Sequence, residues 1–364
     1  MKCFRKIFYP RILLFTIGIV FILAGCAPPE IPDVFWPLPP DEPRVKFVRT
    51  FSGKQSFLRG SGLSVTDVLL GPEGGGKFNK PHGVYVDEND IIYVSDTALG
   101  AIHVFDQRGQ TYQIFGGVSK PIGIATDAEG KIFVADSKIK KIMVFTKDGK
   151  FFTALGKQGD FLNPAGLVIN RELKRIYVVD SRRHHIVVLS LLDGSELFII
   201  GERGTGEGQF NFPSQITIDR ETGNLWVVDT LNGRVQILDP EGKYLFEFGK
   251  LGDAPGAFSR PKGIGFDSEG HVYVVDSGFN NVQIFNKEGY PLMNFSGYGS
   301  TTPGTIILPA GIAIDSNDLI YVADQWNSRI SVYQFLSERY KREHPEVMKR
   351  LTRGLNRKSL QKEK

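Results

Sequence analysis

Two series of short acidic residues recur along the chain and offer the first candidates for chemistry. Asp96, Asp136, Asp180, Asp229, Asp276 and Asp324 each close a short apolar run, and Asp87, Asp127, Asn170, Asp219, Asp267 and Asp315 stand upstream of them. A carboxylate ring would suit a metal ion or acid–base work. The same residue types at strand ends also cap backbone N–H groups of the next turn. Near-identical repetition favours capping, because one asymmetric catalytic centre has no use for six copies. Histidine adds little: His82, His103, His184, His185, His271 and His344 fall at different points of the period. A catalytic zinc needs about three converging protein ligands and an open position. No Ser-nucleophile elbow, Walker loop or paired-cysteine motif occurs. No catalytic residue, metal or cofactor is therefore predicted.

The elements that carry these residues form an array. A proline precedes each aspartate of the first series by fifteen or sixteen residues, at Pro81, Pro121, Pro164, Pro213, Pro261 and Pro309. Successive aspartates lie 40, 44, 49, 47 and 48 residues apart, within the range of propellers and solenoids. Three residues before each stands an aromatic, namely Tyr93, Phe133, Tyr177, Trp226, Tyr273 and Tyr321. β-branched and aromatic residues in runs this short favour packed strands. A further apolar stretch opens at Ile102, Ile142, Ile186, Val235, Val282 and Ile330. With the run after each proline and a last stretch ending in Gly, this makes four antiparallel strands per unit, which is a propeller blade.

The pattern Pro-x-Gly, Tyr-Val-x-Asp-Ser and Ile-x-Val-Phe resembles the NHL repeat, and the resemblance covers residues 44 to about 336. It implies an all-β, six-bladed β-propeller of four-stranded antiparallel blades. Two departures are visible. The Asn and Arg of the family's Asp-x-x-Asn-x-Arg segment survive together only at Asn232/Arg234 and Asn327/Arg329, and Gln215 replaces the Gly after the fourth proline. The sixth unit ends after three strands, while residues 44–53 read as a fourth. The N-terminal strand is therefore expected to complete the last blade and close the ring, which protects sheet edges.

The chain begins with Lys2, Arg5, Lys6 and Arg11 before an apolar run over residues 12–24, too short to favour a spanning helix and suited to a signal helix. The tetrad Leu23, Ala24, Gly25, Cys26 resembles the bacterial lipobox, whose cysteine is acylated. That resemblance implies a signal peptide at 1–25, lipidation of Cys26 and attachment to the membrane through the N-terminal lipid, in the cell envelope on the extracytoplasmic side, whether periplasmic face or cell surface. Removal of Cys3 with the signal leaves no internal disulfide. Seven prolines in residues 27–43 predict a Pro-rich tether over 26–43. In that stretch Phe35 and Trp36 are expected to make ordinary contacts. The tail at 337–364, a short helix at most, is expected to be a solvated extension.

The formal charge of +4 is uneven: the signal holds +4 and the tail +6, leaving −6 for residues 26–336. A mildly acidic body with a basic tail does not suit a nucleic-acid binder. Loops between strands two and three share a face with the links between blades, and the chain varies most there. Lys138, Lys140, Lys141, Arg182, Arg183, His184 and His185 place two basic loops on neighbouring blades. His82 and Lys262 occupy the slot after the proline, shared with Ile122, Ala165, Ser214 and Ala310; Ser214, Gln215, Asn232, Trp326 and Asn327 complete the candidate surface. The expected function is a lipid-anchored scaffold, a monomeric propeller binding an acidic protein, lipid headgroups or an envelope polymer. Relatives of this fold imply two alternatives: a channel lyase or lactonase with a metal, or a small-molecule sensor.

Overall fold

In the computed structural model, residues 34–38, 40–58, 76–347 and 349 are described. The expected signal at 1–25, Cys26 and most of the basic tail lie outside the described residues.

Six antiparallel sheets stand around one axis. Blade one is Pro81–Val86, Ile91–Asp96, Ala101–Asp106 and Thr111–Phe115, and blades two to five repeat the order from Pro121, Pro164, Pro213 and Pro261. Blade six takes Pro309–Ile314, Leu319–Asp324 and Arg329–Phe335 from the end of the propeller, and Val45–Phe51 from its start. The N-terminal strand pairs antiparallel with the last one, Val45 opposite Phe335 and Phe51 opposite Ile330, so the ring closes as expected.

Alternation along the strands explains why the blades wedge together, since successive side chains leave opposite faces of a sheet. Ile176 and Val178 pack toward blade two, whereas Tyr177 and Val179 pack toward blade four. Six apolar clusters result, each joining two neighbouring blades. The cluster between blades six and one holds Phe51, Tyr321 and Ile330 against Val84, Ile92 and Phe105.

The repeated aromatics are all buried. Their polar atoms follow the second acidic series. Tyr93, Tyr273 and Tyr321 donate to Asp87, Asp267 and Asp315 at 3.2, 2.9 and 2.9 Å. Where Asn170 replaces the carboxylate, the Tyr177 hydroxyl turns to the Pro240 carbonyl instead.

Part of the proline-rich stretch departs from the tether expected there. Phe35–Trp36 adds a fifth strand beside Val45–Phe51, and the Trp36 ring packs at 5.9 Å from both Phe295 and Tyr333. The start of the tail is also docked. A helix at Glu338–Glu343 is capped by Ser337; Lys341 bridges Glu42 and Glu338, and Arg339 donates to Ser316 O.

His103 is fully buried in the third strand of blade one, with Nδ1 within 2.9 Å of Tyr112 Oη. Burial holds its pKa down at about 4, with Asp96 opposing weakly. The native state therefore binds fewer protons than the unfolded chain between pH 4 and 6.5, so stability rises with pH in that window. Acidification from pH 7 to 4 is expected to cost about 3 kcal/mol through this residue. Thermal melts of wild type and His103→Gln at the two pH values check it: the acid-induced fall should be smaller in the variant, and equal falls refute it.

Candidate binding face

The loops between strands two and three and the links between blades meet at one end of the propeller, and the first acidic series fixes them there. Asp96 accepts Asn79 N and Lys80 N from the preceding link and Ala98 N and Leu99 N from its own loop, at 2.7 to 3.1 Å. Asp276 accepts Ser259 N, Arg260 N, Gly278 N and Phe279 N in the same way. All six are fully buried. The second series caps the opposite turns, as Asp87 does for Asn89 N and Ile91 N. Both series are thus scaffold, as their repetition predicted.

The first strands crowd the axis just inside this end. A Cβ on Gly83 would fall 2.0 Å from Ile122 O, on Gly123 2.6 Å from Ala165 O, on Gly263 2.7 Å from Ala310 O, and on Gly311 2.5 Å from His82 O. The atom met is in each case the carbonyl of the next blade's residue after its proline. The Pro-x-Gly spacing therefore exists because only glycine lets the inner backbones approach this closely. Gln215 is the exception, and its side chain lies against Gly166 of blade three.

Around this neck the six slots after the prolines place His82 and Lys262 among Ile122, Ala165, Ser214 and Ala310. His82 is half-buried. Burial, then the positive field of Lys262, Lys120 and Lys80, holds its pKa down at about 4, so the ring is neutral at pH 7. Burial and then Arg260 lower the Lys262 pKa. Lys80, Lys120 and Arg260 occupy the slot just before the proline, a signal open to reading because its counterparts Asn163, Phe212 and Leu308 are uncharged.

The predicted surface divides into two groups. Lys138, Lys140 and Arg182 are exposed on the loops of blades two and three, and Lys141 is half-buried at the start of the next strand. Trp326 is 70% exposed. The others mostly hold the scaffold. Arg183 donates to the Gly159 and Asp160 carbonyls, and buried His184 accepts Phe212 N at 3.0 Å through Nδ1. His185 keeps Nε2 buried without a partner. Ser214 Oγ donates to Lys262 O. Asn232 donates to Gly204 O and Asp229, and Asn327 to Gly299 O and Asp324; Arg234 and Arg329 clamp the same two aspartates. Among the described residues, no group of three or more His, Cys, Asp or Glu is placed to hold a metal ion.

Charge is partitioned between the two ends. Among the described residues of this end's links and loops, Lys and Arg number twelve against four Asp and Glu, a net of +8. The turns of the opposite end carry seventeen Asp and Glu against nine Lys and Arg, a net of −8. The basic end also exposes apolar side chains, including Leu99, Ile139, Leu231, Leu251 and Tyr298 beside Trp326. The mildly acidic total of the body hides this polarity.

Comparison with known proteins agrees with the architecture. Residues 78–105, 258–285 and 308–333 match the NHL repeat, and residues 120–199 match a family described as a 6-bladed beta-propeller. Protein brain tumor of Drosophila melanogaster is 28% identical over 139 residues, 38% of this chain and 13% of that protein. NHL repeat-containing protein 3 of Mus musculus is 33% identical over 93 residues, 24% of this chain and 26% of that protein. The chain thus spans about a quarter or less of the length of these relatives. Among solved structures, a streptogramin B lyase aligns with a TM-score of 0.51 at 17% identity, covering 70% of this chain and 93% of that one. An auxiliary nutrient binding protein from Bacteroides ovatus aligns with a TM-score of 0.58 at 15% identity, covering 72% and 70%. At such identities the likeness concerns fold alone.

Proposed function

We propose that this chain, which carries NHL repeats in a six-bladed β-propeller, is an envelope scaffold anchored through lipidated Cys26 whose basic face binds an anionic partner. The observation that carries this reading is the separation of charge. A net of +8 among the described residues of one end, with Lys138, Lys140 and Arg182 exposed and without an ion-pair partner among them, creates a long-range field that steers and orients a negatively charged surface. The exposed apolar side chains on the same end supply contact area once that surface arrives. Binding is favoured over catalysis because the repeated carboxylates are occupied in fixing backbone, and the rigid scaffold they build presents variable loops.

The test is photocrosslinking in the native envelope from position 182, in wild type and in a Lys138→Glu, Lys140→Glu background. Neither lysine makes a side-chain bond among the described residues, so the fold should be unaffected. Each exposed charge contributes up to about 1 kcal/mol, and reversing two should lower adduct yield about tenfold or more. A crosslinker at Glu172 on the opposite end should give no such charge-dependent adduct. Equal yields from the two ends, or no response to reversal, would reject the reading.

A further inference from the structure

The path of the N-terminal segment bears on what the basic face meets. Val45–Phe51 runs from the acidic end to the basic end, since Phe51 lies opposite Ile330 beside the blade-six loop. The edge strand runs the other way: Val34 O accepts Phe47 N, and Trp36 stands opposite Val45. The chain therefore reaches Val34, level with Phe47 and near the acidic end of that strand, from the direction of the basic end. Seven residues, 27–33, separate Val34 from Cys26, and an extended chain covers at most about 3.6 Å per residue. The anchor is thus held within about 30 Å of Val34, much nearer than a free 26–43 tether would allow.

The basic face, four residues further along Val45–Phe51 from the level of Val34 and within reach of residues 27–33, has the composition of an interfacial one. Tyr298 and Trp326, on the link and loop of blade six, are 74% and 70% exposed, more than any other aromatic side chain among the described residues. Tyr and Trp favour the headgroup level of a bilayer, where one edge of the ring is wet and the other apolar. Lys77, Lys80, Lys120, Lys138, Lys140 and Arg182 are distributed around the same end on blades one to three, and clustered Lys and Arg are drawn to anionic lipid.

We infer that the basic face docks flat on an anionic phospholipid bilayer, with Trp326 and Tyr298 at headgroup depth and the acidic end turned away. This rests on the anchored, anion-binding reading above and names its partner. An acidic protein is the competing occupant. Docking leaves the acidic end and the outer strands free for other contacts.

The experiment uses the full-length acylated protein in vesicles containing about one-third phosphatidylglycerol, and in vesicles of phosphatidylcholine alone. The emission of Trp326 is taken as the difference between wild type and Trp326→Phe. Brominated lipid should quench this component in the anionic vesicles, and aqueous iodide should not. Quenching should fall at least twofold in phosphatidylcholine and in the Lys138→Glu, Lys140→Glu, Arg182→Glu variant. A ten-residue insertion after Pro29 should leave contact in anionic vesicles and abolish it in neutral ones. Trp326 emission open to iodide and indifferent to brominated lipid in the anchored protein would overturn the inference. If the crosslinker at position 182 then captures an acidic protein, the anion-binding reading stands without the bilayer; if it captures nothing, both fall.

Discussion

Deletion of residues 44–53 is expected to abolish the cooperative thermal transition of the propeller. These residues supply the strand that covers Arg329–Phe335 and bury Val45, Phe47 and Phe51 in the two apolar clusters flanking blade six. Phe51 alone contacts the rings of Phe57, Phe78 and Phe105 with centroids 5.2 to 6.0 Å apart. Truncating one such phenylalanine to alanine costs about 3–5 kcal/mol. Removing Val45, Phe47, Phe51 and the strand hydrogen bonds to Arg329–Phe335 costs on the order of 10 kcal/mol or more, comparable to the whole of the roughly 5–15 kcal/mol by which domains are stable. The graded form is Phe51→Ala, for which a fall in Tm of about 8 °C is expected, at about 2 °C per kcal/mol for a domain of this size. Circular dichroism melts decide it. A deletion variant melting within about 2 °C of wild type would show that the ring does not depend on its N-terminal strand.

Gly83→Ala is expected to be the most damaging single methyl group that can be added to the inner strands. Its Cβ would sit 2.0 Å from the Ile122 carbonyl oxygen, and a backbone atom cannot swing aside as a side-chain tip can. Either the first strands of blades one and two separate or the whole wedge between them shifts. Overpacking of this kind costs about 1–3 kcal/mol and more where the obstacle is rigid, so a loss of about 3 kcal/mol is expected. Gly265→Ala is the matched control, because its Cβ would meet only Ile314 side-chain atoms at 3.7 and 4.0 Å, an ordinary contact. Denaturant unfolding should separate the two variants by about 2 kcal/mol or more. Equal midpoints would mean that the neck is looser than the inner carbonyls imply.

The blades were legible because the period repeats one local solution six times: proline, aromatic and aspartate answer a constraint that recurs at every blade, and glycine one that recurs at all but the fourth. The closing strand was legible for the same reason, since residues 44–53 read as the strand missing from the last unit. The surface was harder. Arg183, His184, Asn232 and Asn327 look like free polar groups in a loop, yet each bonds to a link some 23 to 28 residues away, and nothing local marks that. Trp36 sits in a run of prolines that favours extended chain, and only the exposed edge of blade six, with Phe295 and Tyr333 beside it, gives it a strand to join. The opposite charges of the two ends were written in the turns, but a sum over the body erases them.

Blades one to five are each built from neighbours in sequence, whereas Val45 must find Phe335, roughly 290 residues later. Loop-closure entropy and contact order place that pairing last. Until the last blade has formed, Val45–Phe51 has no strand to pair with, so the ring stays open at blade six and the two apolar clusters beside it stay incomplete. Closure of the ring is thereby ordered after the folding of its other blades by topology alone.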